Sequence, residues 1–352
     1  MENYVYHLVH ALRDRDIQVG IICEEQLEKT HDDIKVHMVP KSPPKPRWRS
    51  MLRFRDQIEA YIYNKLPSRN ILIHSHERCR VHDISTFHGP PFSIPNSLFL
   101  KYFSKRVQAW TKMERDEICS SQVSHILPVS KRVGEELLNL HPELENKNIV
   151  VAYPGTGPTT YHSEILSPTS KSTKENTLKC VFIGKEWKRK GLERAIDIVK
   201  NYPTAASLDI FGVSEKELPK FARNSNQIRA LGWQHAIPWK NYSVLIHPAK
   251  NEPFGMAISE ARANGLAVLT SDQVGSVELG YTHLIAVPSS APINSWIQGL
   301  KTLEHSLPCS SETLWTWEDL AQLHANRIYP DALYLKYRKQ NPVMDPKNWT
   351  AR

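Results

Sequence analysis

Short apolar runs alternate with amphipathic stretches along the whole chain. Ile17 to Cys23, Ile34 to Val39, Ile71 to His74, Ile84 to Phe87, His125 to Val129 and Ile149 to Ala152 are unbroken enough to predict parallel strands covered on both faces. The polar stretch SPTSKSTKEN (167–176) reads as a linker. Beyond it the rhythm resumes with Leu178 to Ile183, Ser207 to Phe211, Gln227 to Leu231, Ser243 to Pro248, Leu266 to Thr270 and Leu284 to Val287. Helix-compatible segments lie between these runs, and the tail from Trp317 reads as helical as far as Lys339. The pattern predicts an α/β protein of two Rossmann-like domains, residues 1–152 and 153–330, with the ligand between them at the C-terminal strand edges.

One strand-to-helix junction carries candidate chemistry. Lys250 and Asn251 close an apolar strand, Pro253 and Gly255 break it, Met256 to Asn264 suits a helix, and Gly265 supplies the left-handed stop. The first amides of such a helix lack intrahelical acceptors, so Phe254, Gly255 and Met256 are candidates to hold a phosphate or sugar oxygen. Glu252 in the loop and Glu260 in the helix lean toward the same place. Carboxylates suit sugar hydroxyls better than phosphate, which points to a nucleotide sugar. The plainer alternative is a solvated helix with two surface glutamates.

Charge adds a partner class. The 45 Lys+Arg against 37 Asp+Glu give a net charge of +8, which favours an anionic partner. KSPPKPRWRSMLRFR (41–55) carries six cations and no acid, and its prolines oppose regular structure at the start. LFLKYFSKRVQAWTKMER (98–115) predicts a helix with Phe99, Phe103, Val107, Trp110 and Met113 on one stripe and cations around it. Such a helix suits an anionic membrane surface, or equally its own core. Nucleic-acid binding is the least supported class, since no recognition motif accompanies the charge. Five scattered cysteines without C-x-x-C spacing predict reduced thiols and a cytoplasmic setting. No run approaches the ~18 apolar residues of a spanning helix. His74, His76, Cys79, His82 and His88 match no structural zinc spacing, so no metal is expected.

The junction resembles the retaining glycosyltransferases of family 4, whose Glu-x7-Glu signature corresponds to Glu252-Pro253-Phe254-Gly255 through Glu260-Ala261. VFIGKEWKRKGLERAI (181–196) is similar to the family's G-R-x4-K-G strand-loop-helix, with Lys185 where arginine is usual, and His88-Gly89 resembles its first-domain His-Gly. The resemblance implies a GT-B fold, two Rossmann-like domains facing each other across a cleft, with residues 331–352 as a tail crossing back to the first domain. It also implies transfer of a sugar from a nucleotide-diphosphate donor, with retention, without metal or cofactor. Lys190, assisted by Lys185, would grip the diphosphate. Glu252 with the Phe254, Gly255 and Met256 amides would hold the donor sugar, Glu260 the ribose hydroxyls, and His88 would stand beside sugar and acceptor.

Met113-Glu114-Arg115 and Ile246-His247-Pro248-Ala249 are similar to segments of bacterial lipopolysaccharide-core glucosyltransferases. This makes a glycan or glycolipid, with a phosphorylated inner core preferred, the expected acceptor, and the inner membrane face the expected peripheral location. Family members open with a strand and a Gly-Gly loop before the helix that begins here at Glu2, so the first sheet is expected to lack a central strand. An upstream start accounts for this; a truncated, catalytically silent nucleotide-sugar-binding protein is the alternative.

Overall fold

The computed structural model describes residues 2–26, 29–66, 71–92, 98–157, 177–223 and 225–340. The expected linker 167–176 lies outside the described residues. The chain forms two compact units, Met1–Gly155 with Trp317–Arg352, and Thr156–Thr316.

The first unit contains α1 (Glu2–Arg13), β1 (Gly20–Cys23), β2 (Lys35–Met38), α2 (Arg47–Lys65), β3 (His74–Ser75), β4 (Ile84–Phe87), α3 (Leu98–Phe103), α4 (Lys105–Ile118), β5 (His125–Pro128), α5 (Lys131–Leu140) and β6 (Asn148–Ile149). All of these strands pair in parallel, β1 with β2 in one sheet and β3-β4-β5-β6 in another. Tyr4, Leu8 and Leu12 repeat every four residues along α1 and are buried, as one face of an amphipathic helix should be.

Two sequence expectations change here. The apolar stripe expected over 98–115 is not continuous, because the Ser104 side chain accepts the Val107 amide and starts a new helix, α4. Val107 and Met113 are buried, whereas Phe99 and Phe103 stay 68% and 72% exposed. In the basic segment, Arg55 is buried and donates to Asp116 at 3.0 Å, so part of its charge is neutralised by an acid 61 residues on.

The second unit contains β7 (Leu178–Ile183), α6 (Trp187–Lys190), α7 (Leu192–Lys200), β8 (Ala206–Phe211), β9 (Ile228–Gly232), β10 (Val244–His247), α8 (Met256–Ala263), β11 (Ala267–Ser271), β12 (Leu284–Val287) and α9 (Ile293–His305). Its strands form one parallel sheet in the order β12-β11-β10-β7-β8-β9. The order reverses at β7 and β10, where a doubly wound sheet opens a crevice at its C-terminal edge. β10 and β11 are buried at every position, as central strands with helices on both faces must be.

The chain rejoins the first unit at Trp317, earlier than the expected 331. Helix α10 (Trp317–Leu323) continues through one π-helical stretch, His324–Ile328, into α11 (Tyr329–Gln340). Leu320 and Ala321 are buried, α10 packs along α1, and Trp317 stacks on His7 at 4.8 Å, so the return is anchored at its first residue.

Candidate active site

The residues of the Glu-x7-Glu segment gather at the β7/β10 crevice of the second unit. After β10 the loop Lys250–Gly255 is clamped on both sides: the Lys250 amide donates to Arg189 O at 2.8 Å and the Glu252 amide to Gln273 O at 2.9 Å. Glu252 O accepts the Gly275 amide at 3.1 Å, and Phe254 O accepts that of Ser276 at 2.7 Å. Gly255 caps α8 in the left-handed region with φ 91°, and a Cβ there would lie 2.7 Å from Val274 Cγ1. No side chain caps α8, so its first amides are not taken up by a cap and carry the positive end of the helix dipole.

Glu252 is buried among cations. Its Oε2 accepts Arg189 Nη1 at 3.0 Å and lies 3.4 Å from Lys190 Nζ and 3.7 Å from His247 Nε2. Burial opposes ionisation, yet His247, Lys190 and Arg189 hold this carboxyl down at about 2. Burial pushes the fully buried His247 ring below the usual imidazole range. Glu260 behaves in the opposite way: burial raises it, with Lys190 the lesser, opposing influence. Two carboxylates on one segment are thus tuned apart.

The Lys190 stem lies across Gly184 at the end of β7, where a Cβ would meet Lys190 Cδ at 2.2 Å. Gly191, with φ 78°, separates α6 from α7, and a Cβ there would sit 1.9 Å from Pro248 O. These two glycines therefore let the basic turn lie flat on the ends of β7 and β10. Lys185 is exposed at the same edge.

In the first unit, His88 follows β4 and meets His76, with His76 Nδ1 3.0 Å from His88 Nε2. His74 stacks on His324 with ring centroids 5.4 Å apart, and its Nε2 lies 2.7 Å from Thr86 Oγ1. Tyr4 packs edge-on to His88 at 4.8 Å. Burial lowers all four imidazoles, His88 to about 3 and His324 to about 4, so the cluster is neutral near pH 7.

Comparison with known proteins places this arrangement. Glycosyltransferase Family 4 matches residues 1–159, and Glycosyl transferases group 1 matches residues 142–280. Two glycosyltransferase family models thus match the chain in succession over residues 1–280. The chain is 23% identical over 206 residues to the lipopolysaccharide glucosyltransferase WaaG of Escherichia coli, an alignment covering 53% of each protein, so it spans about half the length of the curated relative it matches. The crystal structure of WaaG superposes with a TM-score of 0.70 at 15% identity, covering 97% of this chain and 95% of that one. Sucrose-phosphate synthase from Thermosynechococcus elongatus gives 0.67 at 15% identity over 94% and 93%. Anabaena HepE in complex with UDP gives 0.57 at 14% identity over 97% and 95%. The fold is GT-B, with two Rossmann-like units.

Of the expected site residues, Lys190, Glu252, Phe254, Gly255, Met256 and Glu260 share the second unit's crevice, with Lys185 on its rim. His88 stands in the first unit. Sequence reasoning missed Arg189 and His247 as partners of Glu252. The signal was present: a cation directly before Lys190-Gly191, and a polar residue closing an otherwise apolar strand.

Proposed function

We propose that the protein is a retaining glycosyltransferase that moves a sugar from a nucleotide-diphosphate donor to a glycan or glycolipid acceptor. The observation that carries this reading is the Glu252–Arg189–Lys190 cluster, set beside the uncapped start of α8 at the crevice of a parallel sheet. Lys190, with Lys185 on the rim, stabilises the charge that develops on the departing diphosphate. Lysine at 185 gives a point charge in place of a bidentate fork. Glu252, held ionised, accepts from donor-sugar hydroxyls; Glu260 accepts from the ribose. His88, neutral at physiological pH, offers hydrogen bonds to sugar and acceptor instead of a charge. These side-chain cations and helix amides do the work on phosphate without a metal or cofactor.

The similarity to WaaG makes a phosphorylated lipopolysaccharide inner core the preferred acceptor, and HepE makes UDP the first nucleotide to try. Phe99, Tyr102 and Phe103 are 62–72% exposed, and Phe99 stacks on Phe103 at 5.1 Å. With Lys105 and Arg106 beside them, they suit the face of an anionic membrane and support a peripheral location on its cytoplasmic side. Among the described residues no helix is long and apolar enough to cross a membrane. A second reading is a nucleotide-sugar-binding protein that does not transfer.

A thermal-shift panel with UDP, GDP, ADP and their sugars tests the donor site. Saturating ligand at 100 times its Kd adds about 2.7 kcal/mol to stability. The shift is expected for one base and is lost in Glu260→Ala and Lys190→Ala. Near-normal donor hydrolysis in either variant defeats the assignment, and donor binding without any transfer or hydrolysis selects the second reading.

A further inference from the structure

Three element ends meet at one place in the first unit. Cys119 is the C-cap of α4, His141 is the C-cap of α5, and Glu143 lies in the first turn of the 3-10 helix Pro142–Asn146 that follows. Two helix C-termini converge here, and each carries partial negative charge that favours a cation.

The side chains form a ligand triangle. Cys119 Sγ is 3.5 Å from Glu143 Oε1, and His141 Nδ1 is 3.9 Å from the same oxygen. One ligand atom from each of the three residues lies within 4.8 Å of the other two, the one such trio found among the described residues. Tetrahedral zinc, with bonds of about 2.0–2.3 Å, places neighbouring ligand atoms about 3.3–3.7 Å apart. Small side-chain rotations close this triangle on an ion.

The imidazole is already oriented for the task. His141 Nε2 lies 3.0 Å from Glu114 Oε1, and Glu114 is itself buried, accepting Arg78 Nη1 at 2.8 Å and the Phe92 amide at 2.7 Å. A carboxylate engaged in this way accepts, so the proton sits on Nε2 and the Nδ1 lone pair is left on the side of Glu143. A carboxylate behind a histidine is the arrangement that fixes metal-binding imidazoles. Arg115 lies 3.4 Å from Glu143, but its side chain is 65% exposed and can turn to solvent at little cost. Cys119 also lines an open groove of ≈ 720 Å³ with Thr111, Arg115 and Ser120, which gives an ion its path.

We propose that Cys119, His141 and Glu143 bind a zinc ion, with water in the fourth position and Glu114 orienting His141. Thiolate and imidazole ligands select zinc over magnesium or calcium. Binding releases the Cys119 thiol proton to solvent and ties the end of α4 to the turn after α5. The ion has no part in donor binding.

Cobalt(II) added to the chelator-treated full chain tests this directly. One equivalent is expected to produce a thiolate-to-cobalt charge-transfer band in the near ultraviolet, which one equivalent of zinc abolishes. Cys119→Ser removes the band, and Glu114→Gln weakens zinc binding by about 10–100-fold without touching a ligand. Cys119→Ser exchanges one small exposed-edge atom, so its circular dichroism and melting in chelator should match those of the parent. No band at one equivalent, or a band that survives Cys119→Ser, overturns the proposal.

Discussion

Arg189 donates through one nitrogen, Nη1, to both the Glu252 carboxylate at 3.0 Å and the Asn251 carbonyl at 2.6 Å. That single guanidinium ties the short helix α6 to the loop after β10, and so fixes the carboxylate relative to Lys190, its neighbour in sequence. Its far side is held by Glu186, which accepts both Nε and Nη2. Arg189 is therefore placed to orient Glu252, while Lys190, 3.4 Å from the same carboxylate, keeps donors for a diphosphate.

Removing it should show this division of labour. A hydrogen bond to a charged group contributes about 1.5–3 kcal/mol, equivalent to roughly 10–100-fold. Arg189→Ala is expected to weaken donor-sugar binding by that factor while the bare nucleoside diphosphate binds nearly as before, and calorimetry with both ligands separates the two. Equal losses for both would mean that Arg189 contacts phosphate itself.

The two glycines of the basic turn should fail differently. At Gly191 the backbone is left-handed and an added Cβ would meet a backbone carbonyl at 1.9 Å, so Gly191→Ala should cost more than about 2 kcal/mol of stability. At Gly184, where φ is 159°, an added side chain is strained as well, but its nearest contacts are all on the flexible stem of Lys190. Gly184→Ala should lower the melting temperature less than Gly191→Ala does and lose donor turnover, because Lys190 is displaced. Melting curves beside hydrolysis rates distinguish the outcomes.

The buried imidazoles predict acid lability. A histidine whose proton affinity is lowered on folding binds protons only in the unfolded chain between about 6.5 and its folded value, so stability falls with pH across that window. For His88 and His324 the windows run from the ordinary value down to about 3 and about 4. Each should contribute a loss of about 1.4 kcal/mol per pH unit. Urea unfolding between pH 7 and 5 should show this slope, and His324→Asn should flatten it by one proton; an unchanged slope would show that the ring is already charged in the folded protein.

Much of this was legible in the chain. The apolar runs at Ile84 to Phe87 and Leu178 to Ile183 became strands with those bounds, because central parallel strands have no polar face to obscure their ends, and the edge strand Leu284 to Val287 kept its bounds too. The crevice was legible from the spacing of Glu252 and Glu260 and from the glycine after Lys190. What escaped was set by contacts far apart in sequence. Arg55 finds Asp116, and Arg189 finds Glu252, through pairings that no local pattern announces. The break at Ser104 was missed because a helical stripe continues on either side of it, and one side-chain cap decides where the axis turns. The histidine cluster combines the ends of β3 and β4 with the returning helix, so His324, far on in the sequence, could not be joined to His74, His76 and His88 by any local pattern.

The pH dependence of donor binding can assign the two carboxylates separately. Glu252 has a folded value near 2 against an ordinary 4.5, so it stays ionised through the whole accessible range. The stability it contributes is present above 4.5 and is lost only as pH falls toward about 2. Glu260 is raised above 4.5 by burial, so its protonation favours the folded chain and begins at milder acidity. A protonated Glu260 accepts less well from ribose hydroxyls, and donor affinity should decline on the acid side as that group titrates. The limb should therefore lie above pH 4.5, disappear in Glu260→Gln at a uniformly lower affinity, and persist in Glu252→Gln. Calorimetric titrations of nucleotide from pH 7.5 to 4.5 in the three proteins test this ordering, and a limb that vanishes in Glu252→Gln instead would exchange the roles of the two residues.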